Sequence, residues 1–157
     1  MHRLPLIVVV ALAVSACGSD SSKRAATTTT ASVSLQAFVS AANGVCMASD
    51  KRIVKLGRLT RDPKGWQKTA DAARLAVRQM RAIKPPPSKA RIFNDMLHYA
   101  NALTLSIQEV HDSLVKKDID TAAAAQFAAA QIQDKVHQAA KTAGLTFCQQ
   151  PLTNWPA

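Results

Sequence analysis

Apolar residues recur at intervals of three and four positions along most of the chain after residue 33. This spacing places them on one face of an α-helix, and it is repeated in four segments. Alanine is abundant and aromatic residues are few, a composition that favours closely packed helices over sheets. The sequence therefore predicts an all-α domain. The third segment has the most regular set of core positions: Phe93, Met96, Ala100, Leu103, Ile107, Val110 and Leu114.

Capping residues and helix breakers predict the ends of the first two helices. The first is expected over residues 34–58, with Gly44 as a candidate point of close helix crossing. The second begins where Asp62 can act as the cap and Pro63 can occupy the first helical position. It is expected to end before the prolines at 85–87, because proline supplies no N–H group.

The last two helices have similar signals. Ser88 is expected to cap the third helix, and Asp118 or Asp120 the fourth. Phe127 is expected to add to the inward face of the fourth helix. Gly144 fits the left-handed position that ends a helix.

Short connections between long helices make neighbouring helices antiparallel, so the four should form an up-down-up-down bundle. In that topology the start of the first helix and the end of the fourth lie at the same end of the domain. Cys46 and Cys148 would then come close together, and an oxidising compartment would favour a disulfide between them. The alternative is a pair of unbonded, buried thiols.

The N-terminal segment has a different pattern. Arg3 precedes an apolar run over residues 4–14, which is too short to cross a bilayer as a helix. The sequence Val14-Ser15-Ala16-Cys17 that follows resembles the lipobox of bacterial lipoproteins. That resemblance implies a signal peptide over residues 1–16, cleavage before Cys17 and attachment of a diacylglyceryl group to the Cys17 thiol. The alternatives are an ordinary secretory signal with a chance cysteine, or an uncleaved anchor.

The expected domain organisation follows from this N-terminus. Residues 17–32 are small and polar, with a run of threonines, as in a flexible tether. The helical bundle is expected over residues 33–157. Two acyl chains on one cysteine would hold the protein stably on the extracytoplasmic face of the cell membrane.

A wider resemblance rests on three short motifs: AANGVC in the first helix, the central PPP and the closing AGLTFC. Together they resemble a pattern in small uncharacterised secreted proteins and lipoproteins of actinobacteria. The resemblance implies the helical fold and the cysteine pair. It implies no activity and no site residues.

Charge is distributed unevenly along the chain. The net charge is +10, and residues 51–91 alone hold thirteen lysines and arginines against two aspartates. A basic face of this kind would attract anionic lipid, an anionic envelope polymer or an acidic protein. Nucleic acid is not expected as a partner, because aromatic residues are not interleaved with the basic ones. The alternative is a merely solvated surface. Two basic trios keep helical spacing: Lys51, Lys55 and Arg58, and Arg74, Arg78 and Arg81.

Catalytic and cofactor motifs are sparse. Glu109 is the single glutamate, and no metal-binding or haem-attachment spacing is present in the sequence. His111 and Asp112 are adjacent, so they are not expected to share a helix face. The pair His98-Tyr99 is the one candidate for ligand binding, since helix bundles can house haem between helices.

The sequence therefore predicts a non-enzymatic envelope lipoprotein, without a cofactor, that binds through its basic face. The alternative is a carrier that holds a small ligand, haem or lipid, between its helices. An interior cavity would favour the alternative.

Overall fold

The four predicted helices are present in the computed structural model, which describes residues 34–59 and 61–149. The signal peptide, Cys17 and the tether lie outside the described residues. The described part of the chain is an all-α, up-down-up-down bundle that ends in a short 3-10 helix. The elements are α1 (Leu35–Val54), α2 (Pro63–Arg81), α3 (Pro87–Val115), α4 (Ile119–Ala143) and the 3-10 turn (Thr146–Gln149).

Local capping chemistry explains most of the helix ends. The Ser34 side chain accepts a hydrogen bond from the Ala37 N–H at 3.1 Å, which begins α1. Asp62 caps α2 with Pro63 in its first turn, and Asp118 caps α4. Gly144 ends α4 in the left-handed conformation at φ 85°. The predictions made for Asp62, Asp118 and Gly144 are confirmed.

Two predicted features of α1 are wrong. The helix ends at Val54 rather than Arg58, because Gly57 follows in the left-handed conformation at φ 73° and turns the chain. Gly44 is not a crossing point, since it is exposed and no atom of another element would lie within 4 Å of a Cβ added there.

Two predictions for the later helices are also wrong. Ser88 does not cap α3, which already begins at Pro87 with Pro86 in the cap position and no side-chain cap. Phe127 points to solvent and is 68 % exposed. Phe127 lies two positions from both Ala125 and Ala129, which are buried, and a two-residue step reaches the opposite side of a helix.

The buried side chains form two clusters, one at each end of the bundle. The first joins the start of α1 to the end of α4, and its Phe38 and Phe93 rings meet edge to face with centroids 5.0 Å apart. The second lies around Trp66, which is fully buried at the start of α2. Neither cluster extends along the whole bundle. The second cluster contains Leu59, Trp66, Ala70, Ile107, Val110, Ala122 and Ala125.

The predicted disulfide between Cys46 and Cys148 is confirmed, with Cα atoms 5.2 Å apart. It fastens the 3-10 turn to α1. The side-chain amide of Asn43 supports the same contact, because its oxygen accepts a hydrogen bond from the Phe147 N–H at 3.1 Å. The 3-10 turn is therefore held on α1 by one covalent bond and a neighbouring polar contact.

The backbones of α1 and α4 are further apart than those of the other neighbouring helices, although side chains of both belong to the first buried cluster. Their backbones stay more than 8 Å apart, measured between Cα atoms, whereas α2 packs on α1 and on α3, and α3 packs on α4. The 3-10 turn packs on both α1 and α4. The turn therefore links α1 to α4 where their backbones are far apart.

Candidate functional site

A cavity of about 140 Å³ lies in the middle of the bundle, between the two buried clusters. All four helices and the 3-10 turn contribute to its wall. Three alanines, Ala73 and Ala76 on α2 and Ala100 on α3, stand where larger side chains would fill the space. The wall is mainly apolar, and its larger members are Ile53, Val77, Met80, Met96, Leu103 and Ile107.

Polar side chains are concentrated on α1 and α4. Ser49 and Asp50 line the cavity from α1, and Gln133 and His137 line it from α4. Among helices that neighbour each other around the bundle, α1 and α4 are the pair whose Cα atoms stay more than 8 Å apart, so we infer that the mouth of the cavity lies between them. Asp50 and His137 are half-buried, as expected for groups at an opening.

Gln133 of α4 and Thr104 of α3 are the two buried polar side chains of this wall, at 7 % and 5 % exposure. The amide nitrogen of Gln133 lies 3.5 Å from Nε2 of His137, one helical turn further along α4. That distance is at the upper limit for a hydrogen bond, so the contact is weak. The contact nevertheless gives the buried amide a partner within the domain, and Gln133 adds polar atoms to a mainly apolar wall.

The Cys46–Cys148 disulfide forms part of the wall, together with Phe147 from the 3-10 turn. Phe147 is 47 % exposed, so one part of its ring faces solvent and another faces the cavity. The covalent link that joins the ends of the domain is therefore also a structural part of the candidate site.

The ligand pair singled out in the sequence lies elsewhere. His98 is exposed and Tyr99 half-buried on α3, with ring centroids 5.7 Å apart, and neither lines the cavity. Lys135 of α4 lies over the Tyr99 ring, with Nζ 6.0 Å from its centroid. The structure does not bring His98 and Tyr99 to a site between the helices.

The first basic trio is exposed to solvent. Lys51 lies in the last turn of α1, and Lys55 and Arg58 follow it in the loop towards α2. These three side chains are available to an anionic surface.

The second basic trio, on α2, is partly engaged in contacts within the domain. Arg74 is half-buried, forms an ion pair with Asp71 at 2.8 Å and donates a hydrogen bond to Gln108 of α3. Arg81 donates to the Asn101 side chain of α3 at 3.4 Å, and Arg78 is exposed. The second trio therefore follows the α2–α3 boundary, whereas the first lies on α1 and the loop after it.

A polar network surrounds Gln108 on α3. Asp112 accepts hydrogen bonds from His111 and Gln108, each at 2.8 Å. These bonds, that from His111 above all, lower the pKa of the Asp112 carboxyl. His111 and Asp112 are not expected from the sequence to share a helix face, yet their side chains are in contact through this hydrogen bond. The network joins α2 to α3 through Arg74 and does not line the cavity.

The polar cavity residues Asp50 and Gln133 did not stand out in the sequence. The available signal was an amide at an inward position of α4, one turn after the buried Ala129. Single alanines at core positions are common in helix bundles, so they do not reveal a cavity by themselves.

Among the described residues, no helix is long and apolar enough to span a bilayer. Residues 34–59 and 61–149 also contain no group of three or more histidine, cysteine or acidic side chains placed to hold a metal ion. Comparison with family models, with curated proteins and with solved structures found no match.

Proposed function

We propose that this chain is a lipid-anchored, extracytoplasmic protein of the bacterial cell envelope whose helical domain carries a small, mainly apolar molecule. The cavity between the helices is the observation that supports this function. An engineered apolar cavity of about 150 Å³ in another protein binds benzene, so a space of about 140 Å³ is sufficient for a ring of that size. Because the cavity opens to solvent, a longer molecule could extend through its mouth.

Binding, rather than catalysis, is the role that this lining supports. Small-molecule sites are typically concave and mostly apolar, with a few polar groups that fix the orientation of the ligand. The cavity has this composition, with apolar side chains over most of its wall and Ser49, Asp50, Gln133 and His137 on α1 and α4. Haem is not favoured as the ligand, since His98 and Tyr99 lie outside the cavity.

The proposed location rests on the lipobox at residues 14–17 and on the disulfide. Disulfides form and persist in oxidising compartments, so a bonded Cys46–Cys148 pair is expected of an exported domain. Lipidation of Cys17 would keep the carrier at the membrane, where apolar molecules partition.

Binding of toluene to the domain tests the carrier function. Ligand-observed NMR should detect toluene binding to the wild type. Ala100→Phe places a ring in the cavity and should weaken binding by at least about tenfold, the effect of losing about 1.4 kcal/mol. Ala124→Phe adds the same ring at an exposed position of α4 and should bind as the wild type does.

Two results would overturn the carrier proposal. One is an absence of toluene binding to the folded wild type. The other is unchanged binding in a folded Ala100→Phe variant. Ala76→Leu fills the cavity from α2 and provides a second obstruction if the α3 variant does not fold.

A second candidate function is docking of the domain to an anionic membrane or envelope polymer. Lys51, Lys55 and Arg58 support it, because all three are exposed. The domain should bind anionic liposomes at low salt and release them as salt rises, since screening shortens the range of charge interactions. Reversal of these three charges should abolish binding. Retention by the reversed variant, or binding that does not respond to salt, would count against docking.

A further inference from the structure

The ionisable side chains that line the cavity differ in chemical type, and this difference affects which ligands the site can hold. Two ionisable side chains line the described cavity outside the disulfide, Asp50 on α1 and His137 on α4. Asp50 is the acidic side chain of this wall, and His137 is its imidazole.

The polar side chains of the wall also differ in the hydrogen bonds they can form with a ligand. A carboxylate is an acceptor only, a hydroxyl can accept, and a carboxamide has an oxygen that accepts. An ammonium group has three donors and no acceptor. Asp50, Ser49 and Gln133 each present acceptor atoms to the cavity, which suits an ammonium group, while a carboxylate ligand would meet another carboxylate at Asp50.

From this arrangement we propose that the cavity takes an amphipathic amine, with its apolar body between the helices and its ammonium group at Asp50. This inference rests on the proposed carrier function and adds the chemical class of the ligand. Asp50 would be the residue that sets specificity, and Gln133 and Ser49 would complete the contacts of the head group. The apolar wall would contribute affinity without distinguishing one head group from another.

Three probes with the same ring and different head groups test the proposal: benzylamine, benzyl alcohol and benzoate, with toluene as the reference. Their affinities for the wild type should fall in that order. An ion pair near a protein surface contributes up to about 1 kcal/mol, which corresponds to about fivefold in affinity. We therefore expect benzylamine to bind about fivefold more tightly than benzyl alcohol, and benzoate to bind more weakly than either.

Variants of the mouth assign the preference to a residue. In Asp50→Asn, the affinities for benzylamine and benzyl alcohol should differ by less than about twofold, because the ion pair worth about 1 kcal/mol is lost. The affinity for toluene should not change. Asp50→Glu should retain the preference for the amine. Asp95→Asn removes an exposed acidic group of α3 that does not line the cavity, and it should behave as the wild type does. His137→Gln removes the other ionisable group and should also retain the order.

The outcomes separate this inference from the proposed function. One outcome is that Ala100→Phe blocks toluene binding while benzylamine, benzyl alcohol and benzoate bind the wild type equally well. That result would support the carrier function and overturn the amine specificity. A preference for benzoate, or an amine preference that persists in Asp50→Asn, would overturn it as well. If toluene does not bind to the wild type, the carrier function itself fails.

Discussion

Reduction of the Cys46–Cys148 disulfide is expected to destabilise the helical domain by several kcal/mol. The two cysteines are 102 positions apart, so the bond closes most of the domain into one loop. In the chain-entropy treatment, a cross-link over about 100 residues contributes about 4.7 kcal/mol at 25 °C, and typical disulfides contribute about 2–4 kcal/mol. The bond also fastens the 3-10 turn that links α1 and α4, two helices whose Cα atoms stay more than 8 Å apart.

Urea unfolding of three samples measures this contribution: the oxidised protein, the same protein with dithiothreitol, and the Cys46→Ser/Cys148→Ser double variant. A loss of about 3 kcal/mol, with a slope of about 1–3 kcal/mol per molar urea, lowers the midpoint by about 1–3 M. The reduced protein and the double variant should unfold at the same midpoint. The double variant also serves as the control, because dithiothreitol should not change its curve.

Coincident unfolding curves for the oxidised and reduced wild type would refute this reasoning. They would mean that the packing of the two end clusters holds α1 and the turn in place without the covalent link. A destabilised double variant beside an unaffected reduced protein would be equally damaging, since it would attribute the effect to the serines and not to the missing bond.

Three further predictions concern other parts of the domain. Trp66→Ala should lower the free energy of unfolding by about 3–5 kcal/mol in urea titrations, whereas Phe127→Ala, at an exposed aromatic, should change it by less than about 0.5 kcal/mol. Gly144→Ala should lower it by about 1 kcal/mol, because the left-handed conformation at φ 85° disfavours a Cβ; an unchanged urea midpoint would contradict this. The pKa values of Asp112 and Asp118 are lowered, chiefly by hydrogen bonds from His111 and from the Thr121 backbone. The stability that these carboxylates contribute is therefore present above their unfolded pKa of about 3.9, and it is lost as the pH falls through the lower folded pKa values. In thermal melts, the melting temperature of Asp112→Asn should fall less than that of the wild type across this acidic range.

The features that could be predicted from the sequence depend on local chemistry or on simple topology. Asp62 followed by Pro63 indicates the start of a helix from local chemistry alone, and Gly144 after an amphipathic segment indicates the end of one. The pairing of Cys46 with Cys148 needed only four antiparallel helices and the positions of the two cysteines at one end. Each of these inferences uses few residues and little tertiary information.

The cavity and its lining were not predicted, because they depend on how side chains from different helices fill the interior. Ala73, Ala76 and Ala100 each fit an ordinary inward position, and a space appears only because all three meet in the same layer. The sequence drew attention to His98 and Tyr99 by their chemical type, but their rotation on α3 places them outside that layer. The position of Asp50 on the cavity wall likewise depends on how α1 is placed against the other helices.

The cavity and the disulfide are linked through stability. Unfilled volume in a core costs about 24 cal/mol per Å³, so a cavity of about 140 Å³ corresponds to about 3 kcal/mol of lost packing as an upper bound for a site open to solvent. The stabilisation expected from the Cys46–Cys148 bond is of similar size and offsets that loss. A domain that needed only to fold would gain by filling the layer with larger side chains. Ala76→Leu should accordingly raise the urea midpoint and, in the same protein, weaken toluene binding. A variant that gained stability and kept its affinity would show that the space is not the binding site.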